Sequence, residues 1–165
     1  MITILDTKQD YLRTYERLCV GVRNETLLYS VPNPCFGTFY DLVSQGWGIE
    51  LSYDVPSTVA WIDTFNGKTA FVHFSTYAGA EHNTVQSMVD VLDWAFNVGQ
   101  RTTLFGITPK PYRHVFKAIT GPAGFEVILE EPEMCYIAKR DKYVSGIITR
   151  LTQSKWLESR KSLVL

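Results

Sequence analysis

The most regular hydrophobic pattern in the chain spans residues 69–108. Residues 69–76 (TAFVHFST) are rich in aromatic and β-branched side chains and predict a strand. Residues 84–98 carry apolar side chains at spacings of three and four, which predicts a helix, and residues 102–108 (TTLFGIT) predict a second strand. The loop at residues 77–83 therefore leads into a helix N-terminus, where unpaired backbone N–H groups favour an anion. We expect a ligand of this protein to bind there.

The beginning of the chain predicts a strand followed by a helix. Residues 1–6 form a short apolar run, and Asp6 or Thr7 can cap the helix that follows. Residues 8–20 place apolar side chains at the spacing of one helix face. Residues 25–31 fit either a strand or an irregular loop.

A hairpin is the clearest turn signal in the sequence. Residues 39–45 predict one or two helical turns, and residues 49–54 alternate as a half-buried strand does. Residues 59–65 predict the next strand. Asn66-Gly67 follows it, and because both residue types tolerate positive φ, the pair predicts a type I′ turn into the strand at residues 69–76.

The chain after this unit predicts a short helix and two strands. Residues 112–119 (YRHVFKAI) predict the helix, with Phe116 and Ile119 among its inward-facing side chains. Residues 125–130 and 134–140 predict two antiparallel strands joined by a short turn.

A C-terminal amphipathic helix is predicted from residue 144 onwards. Its apolar side chains are Val144, Ile147, Ile148, Leu151, Trp156 and Leu157. Its polar face is basic, and the helix either packs back on the domain or docks onto a partner. We therefore divide the chain into a domain at residues 1–140 and a helical tail at residues 141–165.

Composition and charge exclude several function classes. The chain has 165 residues, of which 45% are hydrophobic and 20% charged, so it is expected to fold rather than to stay disordered. A net charge of −1 favours neither nucleic acid nor an anionic membrane. No apolar run reaches the length of a membrane span, and the N-terminus lacks the features of a signal peptide. We expect a cytoplasmic protein without nucleic-acid partners.

The cysteines predict no metal site. Cys19, Cys35 and Cys135 lie far apart, are odd in number and show no spacing typical of zinc ligands. Free thiols in a reducing compartment are the simplest interpretation. The sequence also shows no pattern of a Ser-His-Asp triad or a phosphate-binding P-loop.

The order of the predicted elements resembles the GNAT superfamily of N-acetyltransferases. The most specific part is the strand TTLFGIT, the helix YRHVFKAI and then Gly124-Phe125, which opens the next strand. The resemblance covers about residues 1–140. It implies an α/β (α+β) fold of the acyl-CoA N-acyltransferase type, in which helices flank a central mixed, mostly antiparallel sheet, followed here by a C-terminal helix.

The resemblance also implies acetyl-CoA as a cofactor. In the family, the strands at residues 69–76 and 102–108 would splay apart, and the pantetheine arm would add to the first of them. The pyrophosphate would lie on the loop before the helix. The residues that this arrangement assigns to the cofactor are Phe74, Ser75, Thr76, Gly79, Ala80, His82, Asn83 and Thr84.

Two features depart from the family pattern. The loop reads STYAGAEHNTVQ, whereas the family has Q/R-x-x-G-x-G/A. Glu81 adds a negative charge near the expected pyrophosphate, and His82 and Asn83 can partly compensate as donors. The family often has a Tyr on the helix after the fifth strand, and residues 118–120 of this chain contain none.

Three residues are candidates for proton transfer. His73 lies in mid-strand and can act as a base on an amine near neutral pH, although a histidine paired within the sheet would look the same in the sequence. Glu81 can act as a base through a water molecule, or it is a solvated loop residue. Tyr112 lies one to two turns before the family's Tyr position and is the candidate acid.

Other residues are placed near the expected cleft by the same resemblance. Glu50 on the preceding strand is a further candidate base, and His114 lies at the expected mouth of the cleft. Phe36, Tyr40 and Trp47 are expected on the acceptor side, where core packing is an equal explanation.

The sequence leaves two functions open. The first is a GNAT-like N-acetyltransferase that moves an acetyl group from acetyl-CoA to an amine. The alternative is a non-catalytic GNAT-fold protein that acts in phage head or virion assembly, in the host cytoplasm or the virion, through contacts with phage structural proteins or with itself. The usual use of the fold favours the enzyme, whereas the altered loop, the missing Tyr and the added helix favour the assembly protein.

Overall fold

A computed structural model describes residues 1–115, 117 and 120–163 and shows a seven-stranded mixed sheet flanked by helices. The strands are β1 (Ile2–Ile4), β2 (Trp47–Ser52), β3 (Pro56–Asn66), β4 (Thr69–Thr76), β5 (Thr103–Pro109), β6 (Glu126–Ile137) and β7 (Lys142–Thr152). The helices are α1 (Lys8–Cys19), α2 (Arg23–Leu27), α3 (Phe36–Val43), α4 (Thr84–Asn97), α5 (Arg113–Val115) and α6 (Gln153–Leu163). The strand order is β1-β2-β3-β4-β5-β7-β6, and only the β4–β5 pairing among these is parallel. This arrangement confirms the predicted fold class.

The start of α1 shows why the helix begins where the sequence predicts it. The Thr7 hydroxyl accepts the backbone N–H of Asp10 at 3.2 Å, and the Asp10 carboxylate accepts the backbone N–H of Thr7 at 3.0 Å. This reciprocal capping box satisfies two of the N–H groups that the helix leaves unpaired. Of the two predicted caps, the structure therefore uses Thr7.

The sheet separates two hydrophobic cores. On the α1–α3 face, Leu18 and Phe39 pack with Trp61 of β3. On the α4 face, Leu92 packs with Ile62, the next residue along β3. Successive strand residues point to opposite faces, so β3 contributes to both cores. This alternation also decides which face each β4 residue occupies.

The two parallel strands β4 and β5 separate along their length. They pair only at Thr69–Thr103, Ala70–Leu104 and Phe71–Phe105. Beyond Phe71, β4 stays paired with β3, whereas β5 stays paired with β7. The expected splay of these strands is therefore confirmed, and it leaves a gap in the middle of the sheet.

The β3–β4 hairpin is confirmed, but its turn differs from the prediction. Asn66 pairs with Thr69, so the two turn residues are Gly67 and Lys68, and Gly67 has φ +58°. The register shifts between Asp63 and Asn66 because β3 contains a bulge there. The predicted type I′ turn centred on Asn66-Gly67 is one residue out.

The sequence missed one helix, and a second predicted helix is described only in its first part. The stretch read as a strand or loop at residues 25–31 begins inside α2, and this helix follows Gly21 and Val22, which are in left-handed conformations. The helix predicted at residues 112–119 is present as α5 in its first part. Its predicted inward-facing residues Phe116 and Ile119 lie outside the described residues.

The C-terminal half of the sheet corrects the largest error of the sequence analysis. The two strands predicted at residues 125–130 and 134–140 form the single strand β6, whose register shifts between Glu131 and Cys135. The helix predicted from residue 144 is instead β7, which lies between β5 and β6. Its β-branched residues alternate between buried and less buried positions, as a strand requires. The boundary predicted at residue 140 thus falls inside the β6–β7 hairpin.

The C-terminal helix is shorter than predicted and packs back on the α4 face. Trp156 is buried, and its indole N–H donates to Asp93 of α4 at 2.9 Å. Gly124 has φ +94°, and a Cβ there would lie 2.4 Å from the Ser159 hydroxyl, so only glycine fits beside α6. No helix in the described part of the chain is long and apolar enough to cross a membrane.

Candidate active site

A cavity of about 320 Å³ opens where β4 and β5 separate. The separated halves of both strands form its walls, with α2 on one face of the sheet and α4 on the other. Residues 72–76 of β4 line it alternately from the two faces: His73 and Ser75 lie on the α1–α3 face, and Phe74 and Thr76 on the α4 face. The cavity therefore passes through the sheet, and a long ligand can contact both faces.

The edge of β4 that faces the gap offers backbone hydrogen-bonding groups. In a continuous sheet, the backbone N–H and C=O groups of residues 72–76 on that side would pair with β5, but the pairing ends at Phe71. Such an edge accepts an extended ligand that carries amide groups, as it would accept another strand.

The N-terminus of α4 lies at one end of the cavity. Asn83 precedes this helix without capping it, and its side-chain amide donates to the Ser57 hydroxyl at 3.1 Å. Thr84 lines the cavity, and its hydroxyl lies 3.1 Å from the Thr76 hydroxyl. The Thr84 hydroxyl donates to the Glu81 carbonyl at 2.7 Å, and the Thr84 backbone N–H bonds the same oxygen, so this end offers an anion chiefly the positive end of the helix dipole.

An ion pair lies beside the same end of the cavity. Arg23 of α2 pairs with Glu81, which precedes α4, and both side chains line the cavity. A backbone N–H of Glu81 itself, followed by the Arg23 guanidinium, holds the pKa of Glu81 below its usual range. Arg23 thus offsets the negative charge that made Glu81 unfavourable next to a phosphate.

The guanidinium of Arg23 also has a donor that is available for a ligand. Its Nε atom is buried and makes no hydrogen bond to any described residue. A buried N–H without an acceptor is costly, and a phosphate oxygen would satisfy it. The residues at this end therefore fit the diphosphate of a coenzyme A molecule.

His73 lies in the cavity wall as one member of a tight cluster. Its ring stacks on Trp61 at 4.7 Å between centroids and an interplanar angle of 17°. Its Nε2 atom lies 3.3 Å from Oδ1 of Asp63 on β3. The side chain is 31% exposed, so the ring is fixed on one side and accessible on the other.

Two tyrosines line the cavity on the α2 and α5 side. The rings of Tyr29 and Tyr112 lie 6.4 Å apart, and the Tyr29 hydroxyl donates to Sγ of Cys135 at 3.8 Å. Burial, followed by the neighbouring Cys135, raises the pKa of Tyr29. Its hydroxyl therefore stays protonated and can donate a hydrogen bond.

Glu50 does not line the cavity, although the sequence suggested it as a base. Its carboxylate accepts a hydrogen bond from the Arg17 guanidinium at 2.6 Å and one from the Tyr77 hydroxyl at 2.7 Å. Burial, followed by the charge of Glu50, raises the pKa of Tyr77, so this hydroxyl stays a donor. The arrangement ties β2 to α1 and to the end of β4.

The structure brings seven of the predicted site residues to the cavity wall. These are His73, Phe74, Ser75, Thr76, Glu81, Thr84 and Tyr112. Gly79, Ala80, His82 and Asn83 form the adjacent loop and are not among the described residues that line the cavity. Ala80 is buried, and His82 and Gly79 are exposed.

The residues predicted for the acceptor side lie elsewhere. Phe36 and Tyr40 pack against one another and belong to the aromatic cluster of α1 and α3. Trp47 packs against Trp94 on the α4 face. His114 is exposed in α5 and does not line the described part of the cavity.

Sequence reasoning missed Arg23, Tyr29 and Asp63. Tyr29 belongs to the stretch read as a strand or loop and Arg23 lies just before it, where a helix start after Gly21 was the available signal. Asp63 is ten residues from His73, and only the register of the hairpin brings them together. The described residues contain no group of three or more His, Cys, Asp or Glu that could hold a metal ion.

Comparison with known proteins by sequence finds nothing, since no family model matches the chain and no curated protein matches it. Solved structures do match. A point mutant of the spermidine N-acetyltransferase SpeG from Vibrio cholerae has a TM-score of 0.76 at 12% identity, covering 97% of this chain and 99% of that one. A chimera of the Vibrio cholerae enzyme with hSSAT gives 0.75 at 12%, covering 95% and 99%.

A second acetyltransferase shares the architecture. The ribosomal-protein-S5-alanine acetyltransferase from Vibrio fischeri matches with a TM-score of 0.67 at 10% identity, covering 94% of this chain and 93% of that one. At such identities the likeness shows the fold alone. Together with the seven-stranded sheet and its separated central strands, it shows that this chain has the fold of the GNAT N-acetyltransferases.

Proposed function

We propose that the protein is an N-acetyltransferase that transfers the acetyl group of acetyl-CoA to an amine. The observation that carries the proposal is the cavity between β4 and β5, which has a fixed but accessible imidazole in its wall and a donor-rich anion site at its end. The three structures named above are of enzymes, or variants of enzymes, that by their names acetylate spermidine or an alanine of a ribosomal protein. An amine acceptor is therefore the starting hypothesis.

The cofactor would lie along the cavity with its diphosphate at the α4 end and its thioester beside β4. Arg23 would hold the diphosphate at the positive end of the α4 dipole. The amide groups of the pantetheine arm would pair with the free backbone edge of β4 beside Phe74 and Thr76. This places the thioester near the middle of β4, where His73 lies.

The cofactor supplies an activated acetyl group, and the residues of this chain would manage the protons. His73 would take the proton that the amine loses as its nitrogen bonds to the acetyl carbon and the C–S bond breaks. Tyr112, whose side chain lines the cavity, would donate a proton to the leaving sulfur, whereas its raised pKa makes Tyr29 a poor acid. Holding both reactants in one cavity supplies the largest part of such a rate increase.

The proposal is tested first by binding. Calorimetric titration with acetyl-CoA should give measurable heat, and the cofactor should raise the melting temperature. Replacing Arg23 by Met should weaken binding about tenfold, because a charge-assisted hydrogen bond to phosphate is lost. Arg13→Met is the matched control, since Arg13 pairs with Asp10 on α1 and does not line the cavity. Absence of heat and of a thermal shift at millimolar cofactor would contradict the proposal.

Turnover is tested with a panel of acceptors. Release of free CoA thiol is followed with spermidine, with a peptide that begins with alanine and with simple primary amines. Transfer to at least one amine, confirmed by mass spectrometry of the product, is the expected result.

The alternative function stays a prediction from the sequence. A non-catalytic role in phage head or virion assembly would need neither the spare donor of Arg23 nor an accessible His73. A chain that binds no acetyl-CoA but forms stable complexes with virion proteins would favour it.

A further inference from the structure

Asp63 lies beside His73 on the same face of the sheet. Trp61 is the residue paired with His73 across the hairpin, and Asp63 is two positions further along β3. We propose that Asp63 is a positioning residue that holds His73 as the tautomer protonated at Nε2, leaving Nδ1 as the proton acceptor in the cavity. This inference rests on the proposed function, because it names the partner of the base in that same reaction.

The hydrogen bond fixes which ring nitrogen carries the proton. Nε2 of His73 lies 3.3 Å from Oδ1 of Asp63, and an ionised carboxylate only accepts, so Nε2 donates. Stacking on Trp61 fixes the plane of the ring. Nδ1 makes no hydrogen bond to the described residues, and it is therefore the nitrogen left for an incoming amine.

Asp63 is itself held in place by other donors. The Trp61 indole N–H donates to its Oδ2 at 3.1 Å, and the Thr64 hydroxyl donates to its Oδ1 at 3.0 Å. Burial raises the pKa of Asp63, but the hydrogen bonds from His73, Thr64 and Trp61 outweigh burial and hold the pKa below its usual range. The carboxylate is thus charged at neutral pH and stabilises the imidazolium that forms when His73 takes a proton.

The backbone next to Asp63 is strained. Thr64 has φ +51°, a conformation that a β-branched residue rarely adopts. It lies in the bulge of β3, and the bulge sets the register that puts Trp61, rather than a neighbour, opposite His73. Strain of this kind persists where the surrounding structure enforces it, and here it accompanies the placement of Asp63.

Few other charged groups act on His73. The remaining titratable side chains described in the cavity wall are Arg23 of α2, Glu81 before α4, and the tyrosines Tyr29 and Tyr112. Arg23 and Glu81 form a pair and largely cancel each other's charge. Asp63 is the carboxylate in hydrogen-bond contact with the imidazole, so replacing it should change the His73 tautomer more than replacing any other of these groups.

The tautomer can be measured without cofactor or activity. In protein labelled with ¹⁵N, the three histidines give separable imidazole signals, and His73→Gln assigns the one of interest. At a pH where the ring is neutral, His73 should be protonated at Nε2. Asp63→Asn should reduce the share of this tautomer, because the new amide can donate to Nε2. A ring protonated at Nδ1 in the unsubstituted protein would overturn the proposal.

A second carboxylate tests whether the change in the His73 tautomer is specific to Asp63. Asp90→Asn is the matched control. Asp90 is also partly buried and accepts from a tyrosine, Tyr53, at 2.8 Å, but it does not contact a histidine. An equal change in the His73 tautomer in both variants, or no change in either, would overturn the proposal.

Turnover measurements then distinguish a role of Asp63 in the reaction from a purely structural role. With an amine that supports turnover, Asp63→Asn should lower kcat about a hundredfold and leave the affinity for acetyl-CoA unchanged. A variant with unchanged kcat would overturn the role of Asp63 in the reaction. If the chain does not bind acetyl-CoA, the proposed function fails, and the tautomer measurement still decides whether Asp63 positions His73.

Discussion

Glu50 and Asp63 are two partly buried carboxylates on the same face of the same sheet, and they differ in their partners. The Glu50 side chain is 12% exposed, and its main partners are a guanidinium and a tyrosine hydroxyl that is protonated at neutral pH. Asp63 is 21% exposed, and its main partner is an imidazole that can gain or lose a proton. The first cluster is complete without a ligand, whereas the second ends on a group in the wall of the cavity.

The difference separates a structural carboxylate from one suited to chemistry. A carboxylate paired with a permanent cation contributes stability over the whole neutral range. A carboxylate paired with a histidine changes that histidine's protonation, which is what proton transfer from an amine requires. The location of the partner relative to the cavity, rather than the burial of the carboxylate, distinguishes the two roles.

The largest expected effect is the loss of the Glu50 cluster. Glu50→Gln leaves Arg17 without its carboxylate and should lower the free energy of unfolding by about 2 kcal/mol. The loss stays below that of a fully buried pair because the Arg17 side chain is 37% exposed and can be hydrated. Urea denaturation measures it, with Asp63→Asn as the comparison, which should cost less than about 1 kcal/mol because the Asn oxygen still accepts from Trp61 and the exposed Thr64 hydroxyl can turn to solvent. Equal losses in the two variants would remove the distinction.

Within the fold, the sequence predicted best the segments in which the spacing of apolar side chains fits only a helix or only a strand. β4 matches the prediction, and α4 ends one residue early, because apolar side chains at spacings of three and four fit a helix and not a strand. β7 was missed because Val144, Ile147, Ile148 and Leu151 fit a helix face as well. Pairing with β5 on one side and β6 on the other decides in favour of the strand, and these contacts are long-range.

The site was predicted where it depends on a strand and missed where it depends on register. A two-residue turn centred on Asn66-Gly67 would place Ala60 opposite His73. In the structure the turn is Gly67-Lys68, which alone would place Ile62 opposite His73. The bulge at Thr64 moves the pairing back by one residue, so Trp61 lies opposite His73 and Asp63 lies within reach. A shift of one residue moves a strand's side chains to the other face, so the Asp63–His73 contact could not be read from the residue pattern.

Glu81 shares one feature with Glu50 and another with Asp63. Its partner is a guanidinium, as at Glu50, but the pair lies in the cavity wall, as at Asp63. Glu81→Gln should therefore leave the free energy of unfolding nearly unchanged, because the pair is exposed. It should raise the affinity for acetyl-CoA about threefold, because a negative charge beside the diphosphate is removed and Arg23 is freed.

Calorimetry on Glu81→Gln measures that affinity. Glu25→Gln is the control, since Glu25 is on α2 and pairs with Lys139 rather than with Arg23. Weaker binding by Glu81→Gln would mean that Glu81 holds Arg23 in its productive position, and the comparison with the other two carboxylates would be wrong.

The smallest expected effect is a pH dependence of stability that belongs to the Asp63 cluster. Burial raises the pKa of Asp63, but the hydrogen bonds from His73 and the two other donors bring it below the ordinary value of 3.8. A carboxylate whose pKa is lower in the folded chain stabilises the fold at pH values above its pKa in the unfolded chain. This contribution is lost as the pH falls through its pKa in the folded chain.

The free energy of unfolding of the unsubstituted protein should therefore decrease more steeply on acidification below about pH 4 than that of Asp63→Asn. His73→Gln should remove part of the same steepness, because the main donor that lowers the pKa is gone. Urea denaturation at a series of acidic pH values measures all three proteins, and parallel curves for the unsubstituted protein and Asp63→Asn would show that the imidazole does not act on this carboxylate.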